Sequence, residues 1–204
     1  KFIASRQQIL SAIRNQLEGT GTVPMSMLPE DMQAYMQYVY TYLSSSTVDI
    51  IQKSKIDSAD PKALAWQEGS LSLREYLYYG ISENWIDTTK LNINNKYSNA
   101  DDSFQALIDY VMEELQEDTR FTKRIYRYLI NQDIVTGREL CLALYSQNVL
   151  PYEEEEVSLL TSSGNDYAFT FLINKISNIE ITPAQLALDP CTAGCTVTDV
   201  NTGE

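Results

Sequence analysis

The stretch ADDSFQALIDYVMEELQEDTRFTKRIYRYLINQDIVTGRELCLALYSQNVL, residues 100–150, decides the fold class. In its first third Phe104, Leu107, Ile108, Val111, Met112 and Leu115 recur at the spacing that gathers side chains along one face of an α-helix. Asp101, Asp102 and Ser103 precede that stripe, where short oxygen-bearing side chains accept from unpaired first-turn N–H groups and negative charge suits the helix dipole. A second helix is expected over about 118–131, capped by Asp118 or Thr119, with Phe121, Ile125, Tyr128 and Leu129 as its apolar stripe. The third opens on Thr136-Gly137-Arg138-Glu139, a capping-box pattern in which the first and fourth side chains satisfy each other's backbone donors. It carries Leu140, Cys141, Leu144 and Tyr145 and stops before Pro151. Links this short favour neighbouring helices packed as hairpins.

Working outward, Phe2 to Leu17 reads as an amphipathic helix ended by Gly19-Thr20-Gly21. Pro29-Glu30-Asp31 opens a second, with Met32, Tyr35, Met36, Val39 and Leu43 as its inner stripe. Ser44-Ser45-Ser46 breaks that helix, and Thr47 is expected to cap another segment through Val48, Ile50 and Ile51. Pro61 starts a helix with Leu64 and Trp66, interrupted at Gly69 before Leu71, Leu73, Tyr76 and Leu77. Asp87 to Asn99 is the longest expected loop, with Leu91 and Ile93 hinting at one short strand. After Pro151, the acids Glu153 to Glu156 suit a helix's first turn, and Phe169, Leu172, Ile173 and Ile176 mark the last firm helix. A short helix is expected from Thr182-Pro183 to about Leu188.

The expected architecture is therefore all-α: an irregular multi-helix bundle of about eight helices built from helical hairpins, with a C-terminal tail. It is read as a single helical domain over 1–188, with hairpins in 1–86, the loop 87–99, the three-helix core 100–150, further helices in 151–188, and the tail 189–204. No fixed repeat period runs through these segments, so tetratricopeptide and ankyrin arrays are not indicated.

With 204 residues, 44% of them apolar, the chain can bury a core without needing a metal or a disulfide to fold. Its net charge of −13 argues against nucleic acid, whose binding rests on neutralising phosphates. No apolar run approaches the ~20 residues of a membrane-spanning helix. The chain starts at Lys1 and has no leader-like apolar segment, as expected of a processed chain or excised fragment. Histidine is absent from all 204 residues, which removes Ser-His-Asp and Cys-His nucleophile activation and most imidazole-dependent metal sites. No cofactor and no metal site is expected, and no catalytic residue stands out.

Four features remain as candidate functional elements. Arg120, Lys123, Arg124 and Arg127 fall at i, i+3, i+4 and i+7, forming a basic ridge beside the Phe121/Ile125 stripe. Such a ridge would dock an acidic or phosphorylated partner, or else pair with the chain's own Glu113, Glu114, Glu117 or Glu153–Glu156. Fourteen tyrosines include Tyr38, Tyr40 and Tyr42, and Tyr78 and Tyr79, which cannot all face one core and would suit a protein interface or a sugar-binding groove. Cys191 and Cys195, with three residues between them of which Gly194 is one, could close a small disulfide loop or stand as free thiols; the disulfide implies a periplasmic or extracellular setting, the thiols a cytoplasmic one. Glu68, Glu75 and Glu83 lie close to aromatic residues and are the acids that carboxylate-dependent glycan chemistry would use.

Together these features point to a non-enzymatic protein-interaction or scaffold domain that binds a protein partner or itself. It would belong to a larger bacterial envelope-associated or exported protein, such as a periplasmic component of a secretion or conjugation apparatus. A helical carbohydrate-active protein is the first alternative, and a cytosolic adaptor or secreted effector the second.

Overall fold

The computed structural model describes residues 1–19, 23–92, 99–163 and 165–182. Among them the chain is all-α, with nine α-helices and one isolated antiparallel bridge between Ile51 and Ile86. Contacts gather it into two compact units, Lys1–Tyr128 and Leu129–Glu204, and the division falls inside the helix expected at the middle of the 100–150 core. The short helix expected after Pro183, and both Cys191 and Cys195, lie outside the described residues.

The first unit is organised by α5 (Ala100–Glu117), which packs against α1 (Phe2–Glu18) and α4 (Leu73–Ser82). Its stripe is buried as the periodicity requires, with Leu107 0% exposed and Val111 and Leu115 each 1%. Leu10, Ile13 and Leu17 supply the facing side of α1. Polar contacts register the same pair of helices: the Arg6 guanidinium donates to the carbonyls of Leu115 and Gln116, and Arg14 Nη2 reaches Asp109 Oδ1 at 2.9 Å. A cation at the last carbonyls of α5 sits where the helix dipole favours it. The cap of α5 is Asn99 rather than Asp101 or Asp102. Asn99 Oδ1 accepts from the Asp102 N–H at 2.8 Å and Asp102 Oδ2 accepts from the Asn99 N–H at 3.1 Å, while Ser103 is buried within the helix.

Helix α2 (Glu30–Leu43) packs on α1, and α3 (Pro61–Gln67) on α4. The helix expected after Thr47 does not form. Asp49 takes a left-handed φ of 47°, and Ile50 and Ile51 run extended with both side chains 0% exposed. Successive residues buried on opposite sides suit an extended strand-like segment, and β-branched side chains favour one. The Gln52 N–H donates to Trp85 O at 2.8 Å and the Asp87 N–H to Ile50 O at 2.8 Å, so this segment pairs with the one following α4. The α1–α2 and α3–α4 links are also tied, through Met25 N–H to Leu71 O and Ser26 N–H to Gly69 O. Gly69 sits at φ 73°, a left-handed conformation that disfavours any side chain and ends α3. Ser72 then caps α4 in a box with Glu75.

In the second unit α7 (Gly137–Ser146) packs against α8 (Glu154–Ser162) and α9 (Asn165–Ser177). The Thr136–Glu139 capping box forms as the sequence indicates. Cys141, Leu144, Tyr145, Leu150, Leu160, Ala168, Phe171 and Ile181 make the core. Burial pushes the Cys141 thiol up to about 11, so it stays protonated and inert at neutral pH.

Lys175 is the charged residue of this core, 6% exposed. Its ammonium lies 2.9 Å from Glu156 Oε1 and 2.6 Å from Glu180 Oε2, and the Tyr145 hydroxyl donates to the other Glu156 oxygen. Burial by itself pulls the ammonium pKa down, but the hydrogen bonds to Glu180 and Glu156 outweigh it and the value is raised. The bond from Lys175 likewise lowers Glu180.

Two predictions follow from this packing. Leu107→Ala should destabilise the first unit by about 2–5 kcal/mol through lost transfer energy and a cavity, read from urea unfolding. For the Lys175 cluster, the lowered carboxylate adds stability above its unfolded pKa that is lost as pH falls through the folded value. The raised ammonium adds stability below its unfolded pKa that is lost as pH rises through the folded one. The contribution is therefore flat across roughly pH 5–10. Lys175→Met should leave a smaller drop in urea midpoint between about pH 5 and pH 3 than the wild type shows, since the Glu180 carboxylate then has no cation holding its pKa down.

Candidate functional site

Helix α6 (Thr119–Asn131) carries the basic ridge. Phe121 and Ile125 are both 0% exposed, and Phe121 meets Tyr35 at 5.8 Å and Tyr38 at 5.4 Å between ring centroids. Burying that face turns the intervening positions outward, and Arg120, Lys123, Arg124 and Arg127 are all exposed. At 1.5 Å per residue, the ridge spans about 10 Å of helix. Among the described residues Arg120, Arg124 and Arg127 make no ion pair, although Glu114, Glu117 and Asp118 are close by in sequence.

Tyrosines take up two of these three acids. Asp118 Oδ2 accepts from the Tyr38 hydroxyl while its Oδ1 accepts from the Arg120 backbone N–H at 2.7 Å, so both oxygens are engaged. Glu114 accepts from the Tyr42 hydroxyl. Burial and these hydrogen bonds raise the Tyr38 and Tyr42 pKa values well above the ordinary phenol range. The Arg124 guanidinium lies 5.3 Å from the Tyr38 ring centroid, a cation–π contact that holds the charge over the ring. Tyr38, Tyr42, Glu114, Glu117, Asp118 and Arg120 surround an open depression of about 340 Å³ between the ridge and the end of α5.

Other tyrosines are committed in the same way. Tyr78 donates to Asp101 at 2.8 Å and Tyr79 to Asp60 at 2.9 Å. Tyr40 packs on Trp66 and Tyr76, with centroids 5.1 and 5.7 Å away, and Lys53 stands over its ring. The structure thus places Tyr38 and Tyr42 beside the ridge, and puts Tyr40, Tyr78 and Tyr79 with the α3–α4 aromatic cluster and the start of α5. Tyr126, which the sequence reading left aside, is 42% exposed between Arg124 and Arg127 and stacks on Phe2 at 3.9 Å. Its position off the Phe121/Ile125 stripe was the available signal.

Of the acids considered for glycan chemistry, Glu75 closes the Ser72 capping box, its Oε2 accepting from Ser72 Oγ at 3.0 Å. Glu68 and Glu83 are exposed at the ends of α3 and α4. Among the described residues no group of three or more Cys, Asp or Glu is placed to hold a metal ion, and no helix is long and apolar enough to cross a membrane. Compared with known protein families, curated proteins and solved structures, the chain matches none.

The hydroxyl pairings are directly measurable. In an alkaline spectrophotometric titration, part of the tyrosinate absorbance should fail to appear around the ordinary phenol pKa of about 10 and emerge only at higher pH or on unfolding. Tyr38→Phe and Tyr42→Phe should each remove one late-titrating group; an unchanged late fraction would show that neither phenol is held back by its carboxylate.

Proposed function

We propose that this protein is a non-enzymatic interaction module that docks an acidic segment of a protein partner on the exposed face of α6. One observation carries the reading: on a chain of net charge −13, Arg120, Arg124 and Arg127 stand exposed in a row without carboxylate partners among the described residues. An uncompensated guanidinium row attracts carboxylates at long range and meets them bidentately at contact, giving faster encounter and a fixed register. Arg124 is partly pre-positioned by the Tyr38 ring, which lowers the ordering cost of binding. Tyr126 beside it adds exposed aromatic surface, and arginine and tyrosine are the residue types over-represented where binding energy concentrates.

The engaged tyrosine hydroxyls favour this reading over a glycan site. Sugar recognition needs free donors and acceptors next to aromatic faces, whereas Tyr38, Tyr42, Tyr78 and Tyr79 already donate to carboxylates. With the interaction role goes a periplasmic or extracellular setting, as part of an exported or envelope-associated assembly, for which the support is the Cys191–Cys195 spacing.

A labelled poly-glutamate peptide tests the docking. Binding should be measurable in low salt, should weaken as ionic strength rises from about 0.05 M toward 1 M and the Debye length falls to about 3 Å, and should drop at least about tenfold in R120E/R124E/R127E. The reversed residues are exposed, so helicity by circular dichroism should be retained. Equal binding by wild type and the reversed variant, or none by either, would remove the proposal.

A further inference from the structure

The same chain contains a segment that complements the ridge. Glu153, Glu154, Glu155 and Glu156 form its longest run of consecutive acids, and their roles divide sharply. Glu156 is engaged by Lys175 and Tyr145 in the core of the second unit. Glu153, Glu154 and Glu155 are exposed, and among the described residues their carboxylates make no ion pair or side-chain hydrogen bond. Tyr152, just before them, is 70% exposed. Three free carboxylates beside an open aromatic ring thus match three free guanidinium groups beside Tyr126 in charge, number and apolar content.

Resting on the reading of the ridge as an acid-docking surface, we infer that its occupant is the Tyr152–Glu155 segment of a second copy of this chain. The other acids near the ridge offer less. Asp118 and Glu114 are already acceptors for Tyr38 and Tyr42, and the exposed Glu113 and Glu117 stand singly rather than in a run. Because the two surfaces differ, the contact is heterologous: one copy's ridge takes the next copy's acidic segment, and the series either closes into a ring or continues. Exposed ion pairs are individually weak and screened, so the association is concentration-dependent and salt-sensitive.

Charge swapping tests this directly by sedimentation velocity in low salt. The wild type should sediment faster as its concentration rises, and should lose that dependence when salt is raised toward about 1 M. R120E/R124E/R127E and E153K/E154K/E155K should each be monomeric alone, since their two surfaces then carry the same sign. An equimolar mixture of the two should associate again, and so should the six-fold variant carrying both sets of changes. A wild type that stays monomeric, or a mixture that fails to associate while both variants keep their helicity, overturns the inference. If poly-glutamate still binds the wild-type ridge in that case, the docking surface stands and only its occupant is wrong; if it does not, both readings fall together.

Discussion

The first unit depends on one requirement, that the apolar stripe of α5 be removed from water. Phe104, Leu107, Ile108, Val111, Met112 and Leu115 run the length of an 18-residue helix, and no single partner helix could cover so wide a face. Both α1 and α4 pack on it; α2 packs on α1 and also reaches α5 through Tyr42 and Glu114, and α3 packs on α4. Arg6 and Arg14 add no comparable burial, but they fix how far α1 can slide along α5, because each guanidinium finds an acceptor at a definite height on that helix.

A second constraint follows from composition. Fourteen tyrosines on a chain with nearly twice as many acidic as basic residues must place many hydroxyls where water is scarce. A buried hydroxyl without an acceptor is costly, and carboxylates are the acceptors in surplus. Hence the recurring pairs, Tyr38 with Asp118, Tyr42 with Glu114, Tyr78 with Asp101, Tyr79 with Asp60, Tyr145 with Glu156. Each is a charge-assisted bond that ties one helix to another element, so the acidic excess is partly structural.

Legibility in the sequence tracked the range of the interaction. Periodicity and caps are local, and the stripes of α5 and α6 and the Thr136–Glu139 box were readable from a few consecutive residues. Ser72-x-x-Glu75 carries the same pattern and was equally readable, yet Glu75 stood out first for its aromatic neighbour. The Ile50–Ile51 segment misled because two adjacent apolar residues fit a helix or a strand, and its pairing with the Ile86 region depends on residues some three dozen positions away. Tyrosine partners were not readable at all: Tyr38 and Asp118 are 80 residues apart and Tyr42 and Glu114 are 72 apart. The basic ridge was visible as spacing, but that Arg120, Arg124 and Arg127 make no ion pair among the described residues was not.

Tyrosine pairing accounts for part of this. An exposed arginine on an acidic protein ordinarily meets a carboxylate one helical turn away, and Asp118 and Glu114 are two of the acids that precede Arg120 and Arg124 in the chain, with the exposed Glu117 a third. Two phenols and a backbone N–H engage both Asp118 oxygens and one of the two on Glu114, and a hydrogen bond to a charged acceptor in partly buried surroundings is worth more than a solvent-screened ion pair. With Asp118 and Glu114 diverted inward, Arg120, Arg124 and Arg127 keep their positive charge at the surface, and Arg124 rests on the ring of the tyrosine that diverted one of them. Resting on a ring that the core itself holds, the Arg124 guanidinium has less rotamer freedom to lose than a fully solvated arginine, so the packing beneath α6 reaches the chemistry of its surface.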